Sequence, residues 1–269
     1  MIKDVTFGQY LQTGSILHKA DPRQKTLTML LLIIFFFVAE NFISLALICA
    51  VTLALMIASK VPLKMYFKNL KSILPIIILT SLLNMFYIET GTVLVDFWII
   101  TITTDGIIKA VFVSLRVMIL ILISSVFSYT TSPTSLTGAI ESLLKPLSYI
   151  GLKGAVHTVA MTMTIALRFI PTLLEETGKI MNAQKARGTD FETGGLVKRV
   201  KALLPILIPL LISSIRRAYE LAEAMECRCY SGAENRTKYR LLHYTKIDLV
   251  AFVGIAFVCA ATIVLNIFF

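Results

Sequence analysis

Charge is scarce in this sequence: Asp, Glu, Lys and Arg make up 16% of its 269 residues, against 57% apolar side chains. A soluble domain carries about a quarter charged residues. The deficit excludes a disordered chain, a disulfide-built secreted module and an ordinary cytosolic enzyme. Catalytic signatures are missing as well. No G-x-x-x-x-G-K-[S/T] loop is present to cradle phosphate, nor H-E-x-x-H, nor G-x-S-x-G. His18, His157 and His243 stand far apart with no partner pattern. Cys49 and Cys259 lie in apolar stretches, and no nearby His completes a zinc set around Cys227 and Cys229. An enzyme is therefore disfavoured, and no metal or cofactor is expected. Long apolar stretches remain, and they predict a multi-pass protein of the cell membrane.

Five stretches approach the roughly 20 apolar helical residues needed to cross a bilayer: Thr26 to Ala39, Phe42 to Ala58, Ile73 to Ile88, Ile107 to Tyr129 and Ile247 to Phe269. The first is short, and Lys25 is expected to snorkel at its start. Charge sorts the connections. Met1 to Lys25 is net +2, the Glu40/Asn41 turn −1, Ser59 to Ser72 +4 through Lys60, Lys64, Lys68 and Lys71, and Glu89 to Asp105 −3. Positive residues flank cytoplasmic ends, so the N-terminus is expected in the cytoplasm. The opening residues are polar and lack an apolar h-region, so the first span is expected to act as its own insertion signal. The overall +10 of the chain follows from this topology and calls for no nucleic acid.

The predicted organisation is all-α: a membrane domain of four spans over 1–129, a cytoplasmic domain of about three helices over 130–246, and a final span over 247–269. The cytoplasmic segment holds sixteen bases against nine acids. Ser132-Pro133-Thr134 starts a short amphipathic helix with Leu136, Ile140, Leu143, Leu144 and Leu147 in step, broken by Pro146 and Gly151. A second helix runs from about Ala155 toward Gly188. Its later half puts Ile170, Leu173, Leu174, Thr177, Ile180, Met181 and Gln184 on one face, with Glu175, Glu176, Lys179 and Lys185 elsewhere. A third, from about Leu196 to Tyr230, carries a stripe of Val197, Val200, Leu204, Leu207, Leu211, Ile215, Tyr219, Ala222 and Met225. Its apolar centre, Ala202 to Ile215, is about 21 Å long, short of a bilayer core, and Pro205 and Pro209 should kink it. These stripes either pack on one another or also offer an apolar surface to another membrane protein.

Two further features stand outside this scheme. Thr92 to Thr103 alternates β-branched and aromatic residues, which predicts a small extracellular hairpin, with Trp98 at headgroup level. Arg116 lies inside the fourth span, where it can serve either structure or function. No span pairs ionisable residues in a relay, and no internal repeat builds a midplane site, so a stand-alone secondary transporter or channel is the alternative reading and not the first.

Each of the two long helices ends in one arginine between small residues: Ala186-Arg187-Gly188 and Cys227-Arg228-Cys229. Small flanks leave a guanidinium free to enter a groove and make two parallel bonds to a carboxylate. With Leu17-His18-Lys19-Ala20-Asp21-Pro22-Arg23-Gln24-Lys25, Arg168-Phe169-Ile170-Pro171 with Glu175 and Glu176, and Arg236-Thr237-Lys238-Tyr239, these triplets resemble the transmembrane (T) component of energy-coupling factor transporters over nearly the whole chain. That resemblance implies a non-catalytic subunit of an ATP-driven vitamin or metal-ion importer. It links two cytosolic ATP-binding-cassette ATPases to a membrane-embedded substrate-binding S component. It further implies that Arg187 and Arg228, with Ala186, Gly188, Cys227 and Cys229 beside them, dock the ATPases, and that Leu204, Leu207, Leu211, Ile215, Met161 and Ile165 face the S component. The second triplet departs from the Ala-Arg-Gly pattern by having Cys on both sides.

Overall fold

The computed structural model describes residues 10–87, 92–97, 100–146, 151, 153–189, 195–232 and 244–268. Leu147, Trp98 and the run 236–239 lie outside the described residues. Nine helices and one two-stranded sheet are found among those described: α1 Ile16–Lys19, α2 Pro22–Val38, α3 Phe42–Ser59, α4 Leu63–Tyr87, β1 Val93–Phe97, β2 Ile100–Thr103, α5 Thr104–Thr130, α6 Pro133–Leu143, α7 Lys153–Ala186, α8 Leu196–Glu226 and α9 Lys246–Phe268. The strands pair antiparallel, Asp96 opposite Thr101 and Phe97 opposite Ile100, in the stretch whose alternation predicts a hairpin. The chain divides into two compact units, one comprising the described residues of Gly8–Ala139 and Leu241–Phe269, the other those of Ile140–Arg240.

In the first unit α2, α3, α5 and α9 form a bundle and α4 packs along α5. Phe36, Ala39, Leu45, Ile48, Ile119 and Ile123 make one buried cluster; Met56, Val61, Tyr66, Val126 and Tyr129 make a second. Leu32 meets Ile255 and Cys259 in a third. Lipid tails are as apolar as these side chains, so burial alone gives little net drive to pack, and polar ties between helices weigh more than they would in water.

Those ties concentrate at helix ends. Asp21 caps α2, its Oδ1 accepting from the Arg23 amide at 2.8 Å, with Pro22 in the first turn. The Asp21 amide in turn donates to Asp248 Oδ1 at 2.8 Å, and the other carboxylate oxygen of Asp248 takes the Thr245 amide and hydroxyl, each at 2.7 Å. One buried carboxylate thus joins the start of α9 to the start of α2. At the opposite ends of these helices, Asn266 of α9 accepts from the Ser44 hydroxyl at 3.0 Å and donates to the Val38 carbonyl, closing the α2–α3 turn.

Arg116 resolves toward structure. Its Nη2 donates to the Ala39 carbonyl and its guanidinium lies 4.8 Å from the centre of the Phe112 ring. A backbone carbonyl at the end of α2 would otherwise be stranded in an apolar setting, and the arginine satisfies it. Lys25 likewise does not snorkel outward. Its Nζ donates to the Thr130 carbonyl at 3.1 Å, tying the start of α2 to the end of α5.

The helices long and apolar enough to cross a membrane number six among the described residues: α3, α4, α5, α9 and the greater parts of α7 and α8. This set differs from the expected five. α2 has 17 residues, about 26 Å, and stays at the short end of the range. α8 runs unbroken for 31 residues through Pro205 and Pro209, so its reach is not limited to the apolar centre. A proline costs a helix one backbone bond, and the flanking turns carry the element across it.

Candidate functional site

α7 and α8 pack against each other. The side of α8 turned inward is not its most apolar one. Ile206 is buried and Leu210, Ser213, Ser214, Arg217 and Leu221 are partly covered, whereas Val197, Val200, Leu204, Leu207, Leu211, Ile215 and Tyr219 stand exposed, Leu211 at 62%. On α7 the face of Ile170, Leu173, Leu174, Thr177, Ile180, Met181 and Gln184 is partly covered, as the period predicts. Glu176, assigned by that period to the other side, instead sits against α8. Its Oε2 receives Arg217 Nη2 at 2.8 Å and Nε at 3.1 Å, and its Oε1 receives the Ser213 hydroxyl. No sequence motif announces this link; the signal available is the Ser213/Arg217 pair at a four-residue step, which puts hydroxyl and guanidinium on one helix face.

Both helices end the same way. Arg187, Gly188 and Thr189 donate their amides to Gln184, Lys185 and Gln184 at 3.2, 3.0 and 3.0 Å. Arg228, Cys229 and Tyr230 donate theirs to Met225, Glu226 and Met225 at 3.1, 2.8 and 3.1 Å. The six-to-one bond with a left-handed residue before it is the Schellman ending. Gly188 takes φ +86 and Cys229 φ +57. Glycine adopts that conformation freely; an L side chain holds it at a cost of about 1 kcal/mol. The departure of the second triplet from Ala-Arg-Gly therefore leaves the helix-ending geometry intact.

The two arginines occupy matching places. Arg187 lies eleven residues beyond Glu176 and Arg228 eleven beyond Arg217, so each tip stands about 16 Å along its own helix from the shared ion pair. The two tips lie in opposite directions from it, because Phe169 and Leu173 share a groove with Leu221 and Met225 and the helices therefore run antiparallel. Ala186, Arg187, Gly188, Cys227, Arg228 and Cys229 are all exposed. Among the described residues neither the Arg187 nor the Arg228 guanidinium makes a hydrogen bond or ion pair, whereas Arg217 is paired with Glu176. Of the residues assigned to the apolar face, Leu204, Leu207, Leu211 and Ile215 are open. Met161 and Ile165 are partly covered, and Ile165 lines a groove of about 490 Å³ between the helices with Phe169, Leu173, Ala218, Leu221 and Met225. Among the described residues no three His, Cys, Asp or Glu gather as a metal set.

Comparison with known proteins agrees with this architecture. The family model for cobalt transport protein (CbiQ) matches residues 13–239. A protein of Ruminiclostridium cellulolyticum named energy-coupling factor transporter transmembrane protein EcfT is 46% identical over 93% of this chain and 92% of its own. Proteins of the same name from Clostridium kluyveri and Bacillus subtilis are 46% and 40% identical, covering 93% and 97% of either chain. With a family model spanning most of its length and such likeness to curated relatives, this chain belongs to the family of energy-coupling factor transporter transmembrane proteins.

Proposed function

We propose that the chain is the non-catalytic connector of an ATP-driven importer: two cytosolic ATPases grip Arg187 and Arg228, and the exposed stripe of α8 meets a membrane-embedded substrate-binding subunit. The observation that carries this reading is the pair of matching helix ends, each presenting an unpartnered guanidinium between small residues. Bidentate capture by a carboxylate gives such a group a charge-assisted bond worth about 1.5 to 3 kcal/mol.

The ion pair of Glu176 with Arg217 fixes α7 to α8 at a common distance from both tips. Closure of the ATPases then moves the two arginines together, and the helix bodies carry that shift to the subunit seated on Leu204, Leu207, Leu211 and Ile215. The stripe suits a protein partner better than bare lipid, because the same helix carries Arg216, Glu220 and Glu223, all exposed. A charge held within hydrocarbon costs about 2.5 to 3.5 kcal/mol or more. On this reading the charged parts of segment 130–246 stand outside the hydrocarbon on the cytoplasmic side, and the basic flanks of the first spans put the N-terminus in the same compartment. The importer's cargo is chosen by the partner subunit, vitamin or metal ion.

The test is co-purification of the whole complex with both arginines replaced. Arg187→Ala with Arg228→Ala should strip the ATPases and abolish uptake, whereas either change alone should weaken assembly less, because two docks on one body act as a bivalent attachment. Cys227 and Cys229 supply a built-in probe: docked ATPases should slow their alkylation. Normal ATPase retention by the double variant sinks the reading.

A further inference from the structure

The docking scheme leaves unused the segment Leu17 to Lys25 and the hydroxyl run from Thr130 to Ser135, and the fold brings the two together. A pocket of about 250 Å³ opens between them, lined by Tyr10, His18, Lys19, Asp21, Lys25 and Thr131, with Ser132 and Ser135 at its edge. It lies where the expected first span begins and the fourth ends, which in the topology expected from sequence is where hydrocarbon gives way to headgroups.

Its polar groups are incompletely used. Asp21 is 5% exposed and Thr131 7%, yet Asp21 Oδ2 and Thr131 Oγ1 have no hydrogen-bond partner among the described residues. Asp21 Oδ1 and amide are already committed to capping α2 and to Asp248, which leaves Oδ2, buried in the residue that helps to line the pocket, as the carboxylate oxygen without a hydrogen bond. His18 is closed to a ligand: Nε2 donates to the Leu11 carbonyl at 2.6 Å and Nδ1 meets the Ser15 hydroxyl at 2.7 Å. Lys25 gives one proton to the Thr130 carbonyl and keeps two, and Lys19 makes no bond among the described residues. α6 starts here too, with Ser132 Oγ accepting from the Ser135 amide at 3.2 Å, so the positive end of its dipole points the same way.

An orphaned buried carboxylate oxygen wants an N–H donor; two lysines, a hydroxyl and a helix start want an anion. A simple anion satisfies the second set and leaves the first stranded. We propose that this pocket binds a phosphate joined to a primary ammonium, the headgroup of phosphatidylethanolamine or its soluble counterpart, with the phosphate on Lys19, Lys25 and Thr131 and the ammonium on Asp21. Such a ligand would fasten α2, α5 and α6 at the membrane boundary.

The experiment is native mass spectrometry of the full chain in detergent, titrated with phosphatidylethanolamine, phosphatidylcholine and phosphatidylglycerol in parallel, with O-phosphoethanolamine as a soluble competitor. Phosphatidylethanolamine should be retained about tenfold over phosphatidylcholine, whose trimethylated nitrogen has no N–H for Asp21. Asp21→Asn keeps a capping oxygen and should erase the preference over phosphatidylglycerol; Lys19→Gln with Thr131→Val should lower retention of phosphatidylethanolamine itself. Binding of O-phosphoethanolamine without lipid retention upholds the headgroup chemistry and assigns a soluble source. Equal retention of the three lipids by the unaltered chain, with no binding of the soluble compound, overturns the proposal.

Discussion

The bundle and the α7–α8 pair are both built from long apolar helices but keep their apolar side chains in opposite places. α3 and α5 bury Leu45, Ile48, Ile119 and Ile123 against neighbours, whereas among the described residues of α7 and α8 only Ala160 and Ile206 are buried. Exposure alone does not separate lipid contact from partner contact, since α4 and α9 expose Leu79, Leu83 and Phe257 as well. The charges do. α3 carries no ionisable side chain from Phe42 to Ser59 apart from the thiol of Cys49, but α7 and α8 interleave Glu175, Lys179, Arg216, Glu220 and Glu223 with their apolar faces. A helix that is apolar along one stripe and charged along another is amphipathic, and under the function proposed above its apolar stripe is the one a partner subunit covers.

The sharpest way to break this contrast is to charge the exposed stripe. Leu207→Glu with Leu211→Glu should remove the substrate-binding subunit from the purified complex while leaving both ATPases attached, because each new carboxylate would have to be buried without a partner. If the stripe faces only lipid, membrane insertion falls and the complex is lost as a whole. Next in size is Arg116→Met, which strands the Ala39 carbonyl inside the bundle. A drop in stability of about 1 to 3 kcal/mol, read as an earlier thermal transition of the detergent-solubilised chain, is expected, with ATPase binding of the surviving fraction unchanged. Glu176→Gln keeps an oxygen for Ser213 and loses the charge facing Arg217. Because the pair is partly exposed, the expected stability change is about 1 kcal/mol or less, and the telling readout is ATP hydrolysis that continues while uptake falls. Smallest is Cys229→Gly, which should stabilise the end of α8 by up to about 1 kcal/mol in a thermal melt and leave ATPase docking as it was.

Much of the chain was legible before any coordinates. Period and charge placed α7 and α8 with their ends near Gly188 and Tyr230, and alternation marked the hairpin at 92–103. The arginine triplets stood out because small flanks on a lone guanidinium are readable one residue at a time. The roles of four residues were not. Glu176 reads as a solvent-side acid until Ser213 and Arg217 approach from another helix. Lys25 and Arg116 read as snorkelling or undecided charges until Thr130 and Ala39 supply carbonyls from distant turns. Asp248 gives no sign that it accepts the amide of the residue capping α2 as well as holding the start of its own helix.

Composition and spacing by themselves determined that this protein is a mainly helical membrane chain with two long amphipathic helices tipped by arginine, since hydropathy, period and local flanks are properties of adjacent residues. Only the tertiary structure decided which side of α8 is left open, that one ion pair ties the two arms at equal reach, and that Cys229 bends as Gly188 does. Each of these depends on which backbone groups and side chains meet across tens or hundreds of residues, and a carbonyl or a carboxylate that finds its partner at such range leaves no pattern in the sequence around it.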